Sequence, residues 1–166
     1  MPADDAFADV LAANERYAEG FSLAGLSGRA GRGLAVVTCI DSRIEPLAML
    51  GLRPGDAKIL RTPGGRVTGE TLAALAVARH LLDVERVMVV AHTNCRMSAR
   101  DEEEIHAAIE AAGGPDTRDL HFAVSPDPAA GTREDVAGIL ASPHLEGVRA
   151  GGFVYDVETG RLARVC

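Results

Sequence analysis

The sequence contains few cysteines, fewer basic than acidic residues, and no long apolar run. Three cysteines among 166 residues are an odd number, which does not make a disulfide framework. Paired cysteines in such a chain more often bind metal or do redox work, in a reducing cytoplasm. The 17 basic residues against 24 acidic ones give a net charge of −7. This balance disfavours nucleic acid and anionic membranes as partners.

Membrane spans and targeting segments are also missing from the sequence. No run approaches the about 18 consecutive apolar residues of a membrane-spanning helix. Residues 1–5 lack the basic start of a signal peptide. We therefore expect a cytoplasmic protein with no membrane partner. A chain of 166 residues, 47% hydrophobic and 25% charged, is typical of one globular domain, here residues 1–166.

Apolar β-branched runs alternate with helical patterns from residue 34 onward. This order predicts an α/β fold with a central, mainly parallel β-sheet and helices on both faces. The C-terminal segment predicts a hairpin-like pair of strands around a turn at 158–160. The other predicted strands are 34–38, 58–61, 86–91 and a short one at 120–124, and the predicted helices are 46–50, 68–82, 102–112 and 133–140.

The N-terminal segment predicts an extended amphipathic helix. Apolar and aromatic residues recur there at steps of three and four, among them Phe7, Leu11 and Tyr17. A loop at 25–33, rich in glycine, serine and arginine, separates this helix from the first strand. The apolar face needs a cover that a second subunit could supply. We therefore expect residues 1–24 to form a helical arm that packs on a second subunit.

Two short segments carry the candidate chemistry, and each directly follows a predicted strand. The first contains Cys39, and the second contains His92 and Cys95. Ligands bind beyond the carboxyl ends of parallel strands, and neighbouring strands lie about 4.8 Å apart. If the two strands are neighbours, both segments open into one crevice. Two thiols and one imidazole can then supply three ligands to a tetrahedral zinc, with a fourth position open as in catalytic sites.

Asp41 and Arg43 flank the first cysteine and leave two arrangements open. Asp41 could occupy the fourth zinc position and close the site. It could instead form a bidentate pair with Arg43 and leave that position to water. Two thiolates offset the charge of the zinc, so a nearby base would help a bound water to lose its proton.

The two segments resemble the paired zinc motifs of the β-class carbonic anhydrases in order and approximate spacing. Residues 61–66 and the ending from residue 152 are also similar to that family. The resemblance runs over 34–100 and resumes at 151, and the length of the chain is like that of the small, minimal bacterial branch.

The resemblance implies a set of roles. Cys39, His92 and Cys95 would bind Zn²⁺, Asp41 and Arg43 would form a gating dyad, and the fold would assemble as a homodimer through its N-terminal helix, with a tetramer as the alternative.

The activity that the resemblance implies is the reversible hydration of carbon dioxide to bicarbonate by a zinc-bound hydroxide. Asp41 would orient the water or take its proton, in an apolar crevice that could include Ile40 and Val67. The same site could attack a linear sulfur analogue such as carbon disulfide. Two hypotheses of other classes stay open: a non-catalytic zinc protein with Asp41 as permanent fourth ligand, and a redox pair of Cys39 and Cys95.

Two positions depart from the family pattern. Arg96 stands directly after the second cysteine, where the family usually has glycine, and Thr62-Pro63 replace the common Asn-Ala. Arg96 could narrow the pocket or add a positive charge that attracts bicarbonate. The glycines that follow, with Gly65 as a candidate substrate contact, could cradle an anion with backbone amides or form only a tight turn.

Overall fold

The computed structural model describes residues 6–166. The chain forms five α-helices, five β-strands and two short 3₁₀ turns in that range. The α-helices are α1 (Ala8–Glu19), α2 (Pro46–Met49), α3 (Gly69–Leu81), α4 (Glu102–Ala111) and α5 (Pro128–Ala141). The strands are β1 (Leu34–Cys39), β2 (Ala57–Thr62), β3 (Arg86–His92), β4 (Arg149–Tyr155) and β5 (Leu162–Arg164), and the 3₁₀ turns are Pro63–Gly65 and Pro143–Leu145.

The strands form one sheet in the order β2-β1-β3-β4-β5. The first four strands are parallel, and β5 returns antiparallel to β4. The predicted α/β class, the mainly parallel sheet and the C-terminal strand pair are therefore confirmed. Every residue of β1 is buried, because the strand has a neighbour on each side and is covered on both faces.

Two apolar clusters cover the two faces of the sheet. Alternate residues of β1 point to opposite faces, so Val37 packs into the larger cluster with Leu75 of α3 and Ile139 of α5. Val36 packs into a smaller cluster on the other face, together with partly buried residues such as Met49 of α2. These clusters fix β1 and β3 side by side, which sets the positions of the residues at their carboxyl ends.

α5 begins earlier than the predicted residue 133. Its first residue is Pro128, and the side chain of Asp127 accepts a hydrogen bond from the backbone N–H of Ala129 at 2.9 Å. Asp at the N-cap followed by Pro at the first helical position is a common start signal for a helix. The apolar periodicity alone missed this start.

The strand predicted at 120–124 is wrong. This segment has no regular secondary structure and lies against α4. The backbone N–H of Phe122 donates to the carboxylate of Glu102, and its ring lies 5.2 Å from that of His106. The backbone of this segment thus forms a hydrogen bond with a side chain of α4 instead of with a neighbouring strand. Side-chain packing here overrides the β-propensity of a short apolar run.

α1 is exposed to solvent, and none of its residues is buried. Phe7, Val10, Leu11 and Tyr17 are each exposed by 56–61%. The amphipathic helix is confirmed over Ala8–Glu19, and residues 1–5 of the predicted arm lie outside the described residues. Its packing on a second subunit and the domain limits stay predictions. None of the helices in residues 6–166 is long and apolar enough to cross a membrane.

Candidate metal centre

The ends of two neighbouring strands bring the candidate ligands together. Cys39 is the last residue of β1, and His92 is the last residue of β3. The two strands pair directly and in parallel, with Thr38 opposite Val90. Both side chains therefore emerge at one edge of the sheet, and the common crevice expected from the sequence is confirmed.

Three potential ligand atoms converge at this edge. The Sγ atoms of Cys39 and Cys95 and a ring nitrogen of His92 lie within 4.8 Å of one another. The two sulfurs are 4.0 Å apart. A tetrahedral zinc with Zn–S bonds of about 2.3 Å needs sulfurs about 3.8 Å apart. The distance between the two sulfurs thus fits zinc closely. Within residues 6–166, Cys39, His92 and Cys95 are the one group of side chains positioned to hold a metal ion.

The ring of His92 is fully buried and has one nitrogen without a partner. Nδ1 donates to the backbone carbonyl of Thr93 at 2.8 Å, which leaves Nε2 with a free lone pair. Among the buried side-chain nitrogen and oxygen atoms of the described chain, Nε2 of His92 is the one that lacks a hydrogen-bond partner. A buried unpaired atom is costly. The arrangement is that of a metal-bound histidine, whose other N–H commonly donates to a carbonyl.

The sulfurs of Cys39 and Cys95 lie within hydrogen-bond distance, and either can be the donor. The contact with Cys95 lowers the pKa of Cys39, although burial opposes the effect. The same contact, together with burial, raises the pKa of Cys95. A divalent cation would stabilise both groups as thiolates. The pair therefore suits a metal better than it suits two free thiols.

Asp41 is held by Arg43 beside the three ligands. Arg43 donates from Nε to Oδ1 at 2.9 Å and from Nη2 to Oδ2 at 2.7 Å, and its backbone N–H also donates to Oδ1 at 2.9 Å. These hydrogen bonds hold the pKa of the Asp41 carboxyl well below its usual range. Oδ2 lies 3.8 Å from Nε2 of His92. The structure thus has the paired arrangement, the second of the two that the sequence left open.

Arg61, near the end of β2, holds the backbone of the loop that follows β1. The sequence pattern had not indicated this role. Its Nε donates to the carbonyl of Cys39 at 2.9 Å, and its Nη2 donates to the carbonyl of Asp41 at 2.6 Å. The two bonds fix the backbone on both sides of Ile40. The sequence could have indicated this role of Arg61 only through its position near the end of a predicted strand. β2 ends at the same edge of the sheet as β1.

The turn Pro63–Gly65 packs against the ends of β1 and β3. Gly65 has φ of +70°, and a Cβ there would lie 2.9 Å from the carbonyl oxygen of Val90. Only glycine permits this backbone conformation together with so close an approach. Gly64, rather than Gly65, lines the open cavity. The substrate contact assigned to Gly65 stays a prediction.

A cavity of about 210 Å³ opens beside the two sulfurs. Asp41 and Arg96 supply its charged groups, and the remaining wall is mostly apolar. Ile40 lines the cavity as expected, whereas Val67 packs against the larger core cluster. The other lining residues are Cys39, Pro63, Gly64, Cys95 and Met97.

Comparisons with known proteins agree with this geometry. The family model described as "Carbonic anhydrase" matches residues 34–112. Beta-carbonic anhydrase 1 of Mycobacterium tuberculosis is 31% identical over 160 residues, which cover 95% of this chain and 96% of that protein. A carbon disulfide hydrolase of an Acidianus species is 27% identical over 157 residues, covering 80% of this chain and 77% of its own.

A crystal structure of carbonic anhydrase from Streptococcus mutans has a similar fold. It superposes with a TM-score of 0.88 at 33% identity, covering 96% of this chain and 97% of the other.

Proposed function

The chain belongs to the β-carbonic anhydrase family, and on that premise we propose that it catalyses the reversible hydration of carbon dioxide to bicarbonate at a zinc site. One observation carries the proposal. Cys39, His92 and Cys95 converge within 4.8 Å of one another, and the two cysteines line a mostly apolar cavity. Three protein ligands beside an open cavity are typical of catalytic zinc sites.

The donor set fits zinc on three counts. Two soft thiolates and one imidazole match its preference, the sulfur spacing of 4.0 Å suits its bond lengths, and Nε2 of His92 has no other partner within residues 6–166. When bound, zinc would supply Lewis-acid activation of water by lowering the pKa of that water.

Asp41 would orient the attacking water. Both of its oxygens accept hydrogen bonds from Arg43, and an ionised carboxylate can only accept. Oδ2 lies 3.8 Å from Nε2 of His92 and so faces the ligand group. A water that donates to Oδ2 would point its lone pair into the cavity, where carbon dioxide reacts. Asp41 and Arg43 are the catalytic residues of this proposal.

A closed state in which Asp41 becomes the fourth ligand would require a rearrangement. Oδ2 would have to leave Nη2 of Arg43, which donates to it at 2.7 Å. That guanidinium also donates to the carbonyl of Asn94 at 3.1 Å, in the turn between the two later ligands. Arg43 thus links the two motifs and favours the open arrangement.

The cavity wall suits a small neutral substrate. Ile40, Pro63 and Met97 present apolar surface next to the sulfurs, and carbon dioxide carries no net charge. Carbon disulfide is a linear molecule of the same kind, and a carbon disulfide hydrolase is 27% identical to this chain. Hydrolysis of carbon disulfide is therefore the second candidate activity.

We also propose a homodimer, with a tetramer as the alternative. The support is the surface of α1, where Val10, Leu11 and Tyr17 are exposed by more than half, as is Phe7 directly before the helix. Isolated apolar residues are common on surfaces, but a group of four along one helix and its N-cap indicates an interface. A cytoplasmic location is in keeping with free thiols at Cys39 and Cys95, which a reducing compartment would preserve.

Metal analysis and stopped-flow hydration assays test the proposed function. We expect stoichiometric zinc, hydration of carbon dioxide, and loss of both in Cys39→Ser. Cys166→Ser is the matched control, since Cys166 is exposed and lies outside the ligand group. Chelation should abolish activity, and zinc should restore it. Absence of hydration across about pH 7–9, where zinc-activated water ionises, would refute the proposal. Activity on carbon disulfide alone would favour the second candidate, and bound zinc with neither activity would indicate a non-catalytic zinc protein.

A further inference from the structure

Arg96 stands at the cavity without a side-chain partner among the described residues. It lines the cavity of about 210 Å³ together with Cys39 and Asp41. Three other arginines lie nearby and are engaged: Arg43 with the carboxylate of Asp41, Arg61 with backbone carbonyls, and Arg66 with Asp135. Arg96 makes no hydrogen bond and no ion pair with the rest of the described chain, residues 6–166.

The turn that positions the ligand Cys95 also positions Arg96. Asn94 has φ of +54°, which reverses the chain after β3. The backbone N–H of Ser98 then donates to the carbonyl of Cys95 at 3.1 Å. Arg96 and Met97 are the two central residues of this closed turn, and both line the cavity. The base of the Arg96 side chain is therefore fixed next to the metal ligand.

The aliphatic part of Arg96 has an apolar surface beside it. Arg96 also lines a groove on α4 with Ile105, Ala108 and Ile109. Long basic side chains bury their stems on such surfaces and keep the charged group in water. The guanidinium is thus free to reach the mouth of the cavity.

The charges around the cavity leave Arg96 uncompensated. A zinc ion held by two thiolates would carry no net charge, and the side chains of Asp41 and Arg43 neutralise each other. Arg61 directs its donors to the carbonyls of Cys39 and Asp41. The guanidinium of Arg96 is the charge that remains available to a ligand in the cavity.

We propose that Arg96 binds bicarbonate at the mouth of the cavity and thereby sets the affinity of the site for anions. Bicarbonate is a planar anion whose oxygens match the fork of a guanidinium, which donates to two of them at once. Carbon dioxide has no charge for Arg96 to attract. The residue therefore acts on one side of the reaction only. This inference rests on the proposed function, since bicarbonate is the product of that reaction.

A selective effect on bicarbonate has a kinetic signature. No variant changes the equilibrium constant, so kcat/KM must change by the same factor for hydration and for dehydration. Loss of ground-state binding to bicarbonate therefore raises KM and kcat of dehydration together. It also raises the inhibition constant of bicarbonate in the hydration direction, and it leaves KM for carbon dioxide unchanged.

The test compares Arg96→Gln with Arg100→Gln at equal zinc content and ionic strength. Arg100 is in the same loop and is 83% exposed, and its side chain pairs with Asp101 outside the cavity. Both variants remove one positive charge, so the pair separates a local contact from the overall field. Calorimetric titration with nitrate, a planar and unreactive anion, measures binding without turnover. Stopped-flow assays then give the inhibition by bicarbonate.

We expect Arg96→Gln to weaken nitrate binding and bicarbonate inhibition about 10-fold, as for loss of a charged hydrogen bond. Arg100→Gln should change both by less than about twofold, as expected for a screened surface charge. Arg96→Lys, which keeps the charge without the fork, should lie between wild type and Arg96→Gln.

Equal weakening in the two glutamine variants, or no weakening in Arg96→Gln, would overturn the role of Arg96. Failure of the zinc-loaded wild type to hydrate carbon dioxide would instead refute the proposed function. In that case the nitrate titrations still decide whether Arg96 binds anions.

Discussion

Arg66 and Asp135 form a bidentate ion pair between the turn after β2 and α5. Nε donates to Oδ2 at 2.8 Å and Nη2 to Oδ1 at 3.1 Å. The side chains are 16% and 6% exposed. With His92 and Cys95, the pair lines a small internal space behind the ligands. The pair thus links α5 to the part of the sheet that carries the metal centre.

Loss of the buried carboxylate should destabilise the fold. Asp135→Ala leaves the guanidinium of Arg66 without its main partner, and breaking a buried pair costs about 3 kcal/mol. Glu134→Ala is the matched control, because Glu134 contacts the same arginine at 3.4 Å but is 74% exposed. Its loss should cost less than about 1 kcal/mol. Urea denaturation measures the free energy of unfolding of both variants. Equal losses in Asp135→Ala and Glu134→Ala would contradict the importance of burial.

Removal of Arg43 should lower activity. Arg43→Ala removes the two side-chain hydrogen bonds to the carboxylate of Asp41, so Asp41 can turn toward the metal position and compete with water. We expect a fall in kcat of at least about 10-fold, which is the effect of losing one well-placed interaction. Arg43→Lys keeps the charge but loses the bidentate geometry and should recover only part of the activity.

Arg53→Ala is the control for the change of charge, since Arg53 is exposed on the loop before β2. The zinc content of all three variants is measured alongside. Unchanged turnover in Arg43→Ala would show that the pair does not govern access to the site.

A methyl group at Gly65 should be poorly tolerated. In Gly65→Ala the new Cβ would lie 2.9 Å from the carbonyl oxygen of Val90 and 3.3 Å from the backbone nitrogen of Cys39. Alanine at positive φ also costs about 1–2 kcal/mol, and the overlap adds about 1–3 kcal/mol. Thermal unfolding and zinc affinity should both be impaired. Gly69→Ala in α3 meets nothing within 4 Å and should be neutral or slightly stabilising.

The free energy of unfolding should fall as the pH is lowered, and protonation of Glu102 should account for part of this loss. The backbone N–H of Phe122 donates to Glu102, which is also paired with His121 at 2.9 Å. These contacts, the backbone hydrogen bond foremost, lower the pKa of Glu102 from its ordinary value of 4.5. A lowered folded pKa gives stabilisation that is complete above the ordinary value and is lost as pH falls through the folded pKa.

Glu102→Gln should therefore be less stable than wild type at pH 7, and the difference should narrow as the pH falls below about 4.5. Urea midpoints across this pH range measure the effect. Glu146→Gln, at an exposed position, should run parallel to wild type. A constant difference between Glu102→Gln and wild type at all pH values would contradict the linkage.

The ligand set was predictable because it follows from two simple patterns. Each ligand segment comes directly after a buried β-branched run, and parallel neighbours end at one edge of the sheet. The positions of Cys39 and His92 therefore required only that β1 and β3 be adjacent, as they are. The pairing of Asp41 with Arg43 was one of two arrangements that local spacing allowed, and the sequence did not distinguish them.

Other features depend on contacts that leave no pattern in the sequence. Arg61 supports the site through backbone carbonyls, which are present at every residue and so carry no signature. The segment 120–124 has the composition of a strand, but Glu102 on α4 bonds its backbone instead. The start of α5 at Pro128 was readable from its Asp-Pro cap, and apolar periodicity outweighed that signal.

The direct pairing of β1 with β3 makes the metal centre a check on strand alignment. Successive side chains alternate between the faces of a sheet, so a one-residue slip of β1 would turn Cys39 away from His92. The slip would also displace it by about 3.3 Å along the strand. Only the alignment that sets Thr38 opposite Val90 lets one ion bind both ligands. Metal capture during folding would therefore select the correctly aligned sheet from its shifted competitors.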